Sequence, residues 1–255
     1  MTTKALQVRG VQFGEGRPKI CVPIVERNRE TILSYAEKAL DVEPDMLELR
    51  IDWFEGLYNT ETVVSLLKDL RQIIGDTVLL FTIRTSNEGG EAQISAEEYE
   101  ALCRRACESG WIDLIDVEAF MEEGLLERIT EVAHRNHVYV IASNHDFEKT
   151  PDEQEIVRRL IYMDKMGADI PKIAVMPNAE RDVLTLLSAT LQYRELGGVK
   201  PIVTMSMGKM GVISRMAGEV VGSAVTFATA GQISAPGQIT VNAMKPVLDL
   251  LHLDR

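Results

Sequence analysis

Ile170-Pro171-Lys172-Ile173-Ala174-Val175-Met176-Pro177 is an apolar run bounded by prolines and interrupted by one lysine. Such a short run, with β-branched residues inside and chain breakers at its edges, reads as a strand buried on both faces. With its core at 171–176, it is one of a series that includes residues 19–25, 46–52, 77–84, 112–119, 138–144, 201–207 and 224–230. Helical periodicity fills the intervals over 28–42, 61–74, 95–109, 125–136, 151–166, 181–196 and 213–222, and a last helix is expected over 240–253. Ser95-Ala96-Glu97-Glu98 supplies a capping-box signal for one of these starts. Roughly eight strand–helix units in about 250 residues is the size of an α/β fold of the (β/α)8 TIM barrel type. A doubly wound open sheet competes, but no G-x-G-x-x-G follows the first strand, which weakens it for a dinucleotide binder. Residues 8–18, with Gly10, Gly14 and Gly16, read as an N-terminal β-hairpin closing the barrel bottom. No linker rich in Pro, Gly or Ser divides the chain, so the expectation is a single barrel domain over residues 1–255.

Composition narrows the function classes. The 255 residues are 45% hydrophobic and 26% charged, ordinary for a globular chain, with a formal net charge of −12. That charge argues against nucleic acid as a partner, because phosphate contacts need basic surface. No apolar stretch approaches the roughly 20 residues that span a bilayer, and Met1–Gln7 lacks the apolar core of a secretory signal. The three cysteines, Cys21, Cys103 and Cys107, cannot all pair, and Cys103 and Cys107 are spaced to share one helix face as small buried residues. The expectation is a cytoplasmic protein with no membrane partner.

In a barrel of this kind the active site lies at the C-terminal ends of the strands. Lys172 either carries its ammonium to water along its stem or is held desolvated, where burial frees a neutral amine for Schiff-base chemistry. Glu48, Arg50 and Asp52 alternate with Leu47, Leu49 and Ile51, which puts three charges on one strand face, as a paired network or as a mouth. Arg84 ends the third strand and Glu88-Gly89-Gly90 follows it. His145 follows Ala142-Ser143-Asn144, well placed for proton transfer or satisfied as a structural histidine. Arg215 sits near a helix start, as a carboxylate clamp or a surface arginine. Residues 231–238 read as a connector or a lid. One lysine, one histidine, glutamates and three arginines project to one expected mouth, a convergence that independent structural roles explain poorly.

The motifs are similar to those of the type I 3-dehydroquinate dehydratase family, Schiff-base enzymes of the shikimate pathway. The resemblance rests on Glu48-Leu49-Arg50-Ile51-Asp52, on Arg84 with Glu88-Gly89-Gly90-Glu91, and on Ser143-Asn144-His145-Asp146-Phe147. It continues through Asp169-Ile170-Pro171-Lys172-Ile173-Ala174, Thr204-Met205-Ser206-Met207, Gly211-Val212-Ile213-Ser214-Arg215 and Ser234-Ala235-Pro236-Gly237-Gln238, in family order. The resemblance implies that Lys172 forms an imine with the C3 ketone of 3-dehydroquinate. His145 would be general acid and base in a syn elimination, and Glu88 would orient it. Glu48, Arg50 and Arg84 would meet substrate hydroxyls, Arg215 the substrate carboxylate, and Ser234 and Gln238 would close from the loop. Met205 and Met207 would form apolar wall. Apolar faces on the last helices hint at a homodimer, though packing against the barrel explains them equally well, and no cofactor and no metal are expected. Pro23 stands where some members carry a serine, so that hydroxyl contact is absent here. Against this stand three rivals. A class I aldolase-type barrel would want a phosphate site, for which Gly208-Lys209-Met210-Gly211 is a weak candidate. A metal-dependent lyase would use Glu48, His145 and Asp146. The third is a binding barrel without chemistry.

Overall fold

The computed structural model describes residues 3–231 and 236–253. A two-stranded antiparallel hairpin, β1 (Leu6–Val8) and β2 (Val11–Phe13), comes first. Parallel strands then alternate with helices: β3 (Lys19–Ile24), α1 (Arg29–Leu40), β4 (Met46–Arg50), α2 (Thr60–Ile74), β5 (Val78–Thr82) and α3 (Ala96–Glu108). The series continues with β6 (Leu114–Glu118), α4 (Leu125–Arg135), β7 (Tyr139–Asp146), α5 (Glu153–Lys165), β8 (Ile170–Val175) and α6 (Glu180–Glu195). It ends with β9 (Val203–Ser206), α7 (Val212–Met216), α8 (Gly218–Val221), β10 (Val225–Phe227) and α9 (Val241–Leu250).

The ladder runs β10-β3-β4-β5-β6-β7-β8-β9. It nearly closes between β9 and β10 through a bridge from Ile202 to Ser223, with Ala224 N donating to Ile202 O at 2.7 Å. This is the expected α/β TIM barrel. Alternation sorts side chains into two cores. Residues such as Leu47, Leu49, Ile115, Val117 and Ile173 face outward under the helices, while Met46, Val78, Leu80, Leu114, Ile141 and Ile170 fill the barrel. Val8 and Phe13 of the hairpin are buried with that inner group and close its lower end. Among the described residues no helix is long and apolar enough to cross a membrane.

Several boundaries differ from the sequence expectation. The hairpin spans residues 6–13 rather than 8–18, because Arg9 turns the chain at φ 49. The strand expected over 46–52 stops at Arg50, and Asp52 lies in a short 3-10 turn, Ile51–Trp53. β7 runs two residues beyond Asn144, since β8 continues to pair with it, His145 opposite Ala174 and Asp146 opposite Val175. The helix expected over 213–222 is two pieces broken near Gly218, where an added Cβ would stand 2.7 Å from Pro18 Cγ and 2.9 Å from Ser223 O.

Candidate active site

The barrel interior changes chemistry along its axis. Below, inward positions are apolar; toward the strand C-termini they become Glu48 on β4, Thr82 on β5, Asp116 and Glu118 on β6, Ser143 and His145 on β7, and Lys172 on β8. All of these except His145 are buried. Charged side chains persist at such depth only when paired. The pairing here is dense.

Lys172 is 3% exposed, and its Nζ donates to Asp116 Oδ2 at 2.8 Å. The ammonium also lies 4.8 Å from the centroid of the Phe227 ring, a favourable cation–π approach. Asp116 Oδ1 accepts from Arg84 Nη2 at 2.7 Å and from Ser143 Oγ at 2.5 Å. Burial works against the Asp116 charge, but Arg84 and Lys172 overcome it and hold the carboxyl well below the usual range. Of the two readings of Lys172, the desolvated one holds, and an ionised carboxylate grips its nitrogen. Arg84 is committed as well, donating to Glu118 at 3.0 Å, Ser143 at 3.1 Å and Glu88 at 3.3 Å. Its guanidinium borders the cavity while anchored to that network.

His145 stands beside this cluster. Its Nδ1 lies 2.8 Å from Glu88 Oε2, and its backbone N donates to the same oxygen at 3.0 Å. Nε2 is thereby left as the ring atom available to a ligand. Burial, reinforced by Arg84 and Lys172, holds the imidazole well below its usual value. Burial likewise lifts the Glu88 carboxyl to about 7, against the opposing pull of Arg84. The pair is thus driven toward its uncharged form and titrates as a unit. Glu88 reaches this place because the loop after β5 is cramped. A Cβ on Gly89 would meet the Phe147 ring at 2.3 Å, and one on Gly90 would meet Arg84 O at 2.1 Å. Only glycine fits both.

The remaining expected residues surround the same space. Arg50 forms a two-point pair with Asp52, both contacts at 2.8 Å, so the charged pair on this segment is Arg50–Asp52 rather than Glu48–Arg50. Glu48 instead accepts from Thr82 Oγ1 at 2.9 Å. Arg215 is 2% exposed and carries no ion pair to a described residue. It donates to Pro236 O at 3.1 Å and Phe227 O at 3.4 Å, its Nε has no partner among the described residues, and burial lowers it to about 10. Glu48, Arg50, Arg84, Glu88, His145, Lys172, Met205, Met207, Arg215 and Gln238 all line one cavity of about 500 Å³, part of it open to solvent. Ser234 lies outside the described residues. Phe227 and Phe147 also line the cavity, and Asp116 and Glu118 lie beneath it; sequence reasoning singled out none of the four for a role. Inward alternation on Leu114-Ile115-Asp116-Val117-Glu118 was the available signal. Among the described residues no group of three or more His, Cys, Asp or Glu side chains is arranged to hold a metal.

Comparison with known proteins bears on this site. The type I 3-dehydroquinase family profile matches residues 20–255. A 3-dehydroquinate dehydratase of Clostridioides difficile is 48% identical over 249 residues, covering 98% of each chain. One of Listeria monocytogenes is 50% identical over 245 residues, 96% of this chain and 97% of the relative. The solved type I 3-dehydroquinate dehydratase of Clostridium difficile, carrying covalently modified comenic acid, superposes with a TM-score of 0.95 at 47% identity over 98% of both chains.

Proposed function

The chain belongs to the type I 3-dehydroquinase family, a family of hydro-lyases, and from that premise we propose that it dehydrates 3-dehydroquinate through an imine on Lys172. Lys172 attacks the C3 ketone as its amine; of the three protons on its ammonium, two leave with the carbonyl oxygen as water and one stays on the iminium nitrogen. His145 takes the C2 proton; the C–H pair enters the C2–C3 bond, and the C=N pair moves onto nitrogen, forming a neutral enamine. The return flow expels the C1 hydroxyl, which takes the proton from His145. One water then hydrolyses the product iminium, regenerating ketone and the Lys172 ammonium, so the net loss is one water. Proton transfer of this kind is worth about 10²–10⁴-fold.

Each contact has a place in this scheme. The electron sink works only while the imine stays protonated, and Asp116, 2.8 Å from Nζ, is positioned to accept the iminium N–H and balance its charge. Glu88 fixes the His145 ring through Nδ1. Arg215, buried without an ion pair to a described residue, would take the substrate carboxylate. Glu48 and Arg50 would meet hydroxyls, with Arg84 setting the field beneath them. Met205 and Met207 would form wall, and Ser234 and Gln238 would close over it. The observation that carries the reading is a buried lysine and a carboxylate-anchored histidine lining one cavity. Covalent modification in the Clostridium difficile relative is consistent with it. The same reading includes one barrel domain, a cytoplasmic location and a homodimer. Leu250 and Leu251, exposed at the end of the last helix, support the last of these, which sedimentation measures.

Borohydride trapping with 3-dehydroquinate, followed by peptide mass analysis, tests the chemistry. An adduct on the Lys172 peptide with enone absorbance in the unreduced reaction is the expected result. Absence of both overturns the reading.

A further inference from the structure

The Glu88–His145 pair has a supporting chain that reaches outside the cavity. Asn144 Nδ2 donates to Glu88 Oε1 at 3.0 Å, and Asn144 Oδ1 accepts from Arg159 Nη1 at 2.8 Å. Arg159 lies on α5, its side chain 23% exposed, with Nε donating to Glu155 Oε1 at 2.7 Å and its guanidinium over the Phe120 ring. Neither Asn144 nor Arg159 lines the cavity.

An amide side chain is nearly symmetric in shape but not in chemistry: one end accepts, the other donates. A guanidinium only donates. While Arg159 occupies one side, the amide must turn its oxygen that way, so its NH2 faces Glu88. That end suits a carboxylate and clashes with a protonated acid turned toward it. Without Arg159 the amide is free to reverse and offer its oxygen, which suits protonated Glu88. We propose that Arg159 is a positioning residue that acts through Asn144 to keep Glu88 ionised, and so sets the pH at which the Glu88–His145 pair becomes competent. The role rests on reading His145 as the proton carrier.

Other charged groups face Glu88 and make its balance fine. Arg84 follows β5, Asp116 and Glu118 come from β6, and His145 from β7; Lys172 of β8 and Arg50 of β4 act on His145 in turn. Burial has already brought the Glu88 carboxyl to about 7, and the Asn144 hydrogen bond is one of the contacts pulling it down. Near that midpoint a single hydrogen bond to a charged group moves the titration by about one pH unit.

The test is a double-mutant cycle of Arg159→Met, Asn144→Ala and the two combined, read by NMR titration of the His145 ring protons. The chain has four histidines, so the resonance is assigned by its loss in His145→Gln. Methionine keeps an apolar stem against Phe120, and circular dichroism checks the fold. The upper step of the pair is expected to rise by about one pH unit in Arg159→Met. The acid limb of kcat should rise with it, while KM stays within about twofold because the residue is outside the cavity. On the Asn144→Ala background, Arg159→Met should add nothing. No rise, or a rise that persists undiminished on that background, overturns the role. The NMR arm needs no substrate, so it judges the positioning role even if wild-type protein fails to dehydrate 3-dehydroquinate, which would count against the proposed function instead.

Discussion

Asp116→Asn isolates the buried charge cluster, because it changes one oxygen to NH2 with almost no change in shape. Asp116 joins two cations, Arg84 at 2.7 Å and Lys172 at 2.8 Å, with none of the three side chains more than 4% exposed. Removing one partner of a buried pair leaves an uncompensated charge and costs about 3–5 kcal/mol. The lower end of that range lowers the melting temperature by about 6–12 °C for a chain of this size. Nor can the amide satisfy both sides: whichever end faces Lys172 or Arg84 as NH2 opposes a donor with a donor. The sign of the pH dependence follows from the Asp116 carboxyl being held below its ordinary value. Its stabilising contribution is complete above the unfolded value of about 4 and is lost as pH falls toward the folded one. Melting followed by circular dichroism should therefore show the full gap between wild type and Asp116→Asn from pH 5 upward, narrowing below about pH 4. Borohydride trapping of Asp116→Asn should also fall, because the iminium loses its counter-charge. A melting gap under about 2 °C, or one of constant size into acid, would refute the account of Asp116 as an ionised partner.

Lys172→Ala should abolish both turnover and trapping, whereas His145→Ala should still trap substrate yet lose about 10²–10⁴-fold in enone formation; equal loss of trapping in both would mean the roles are misassigned. Arg215→Met should raise KM by about 10–100-fold with kcat largely kept, the loss of a charge-assisted contact to the substrate carboxylate, and an unchanged KM would remove Arg215 from binding. Gly90→Ala, whose Cβ would stand 2.1 Å from Arg84 O, should shift the loop carrying Glu88 and lower kcat by about 10²-fold; wild-type kinetics would show that the loop adapts.

The barrel was legible in the sequence because parallel strands buried on both faces read as nearly unbroken apolar runs, and 78–83 and 170–177 could be little else. The mouth was legible for a related reason: a charge inside such a run, as at Lys172 or Glu48, needs explanation wherever it stands. Partner choice was not legible. Glu48 and Arg50 are two apart on one strand, but whether Arg50 meets Glu48 or Asp52 depends on a 3-10 turn begun at Ile51. Asp116 carries the same signal, a charge inside a buried strand, but the sequence does not say which cations it meets. Its meaning comes from lying two strands from Lys172, with β7 between them, and one strand from Arg84, relations that parallel pairing creates across 56 and 32 residues of sequence. The same holds for Arg159, whose helix reads as an ordinary amphipathic surface helix until its guanidinium is seen against Asn144.

Charge balance ties these pieces to binding. A surface of net charge −12 repels an anionic substrate, so attraction must come from the cavity. Most cations there are already neutralised: Arg50 by Asp52, Arg84 by Asp116 and Glu118, Lys172 by Asp116. Arg215 differs. It is buried, it is lowered to about 10 by that burial, and its protein contacts are carbonyl oxygens and a thioether rather than carboxylates. A guanidinium held this way is costly in the empty protein and regains its missing partner only when a carboxylate enters. The remaining pairs serve a different end. They hold Lys172 and His145 in place, which on the proposed mechanism leaves little reorganisation for the chemical step. On the proposed mechanism, binding and catalysis are thus divided between the cation left without a carboxylate and the cations that were given one.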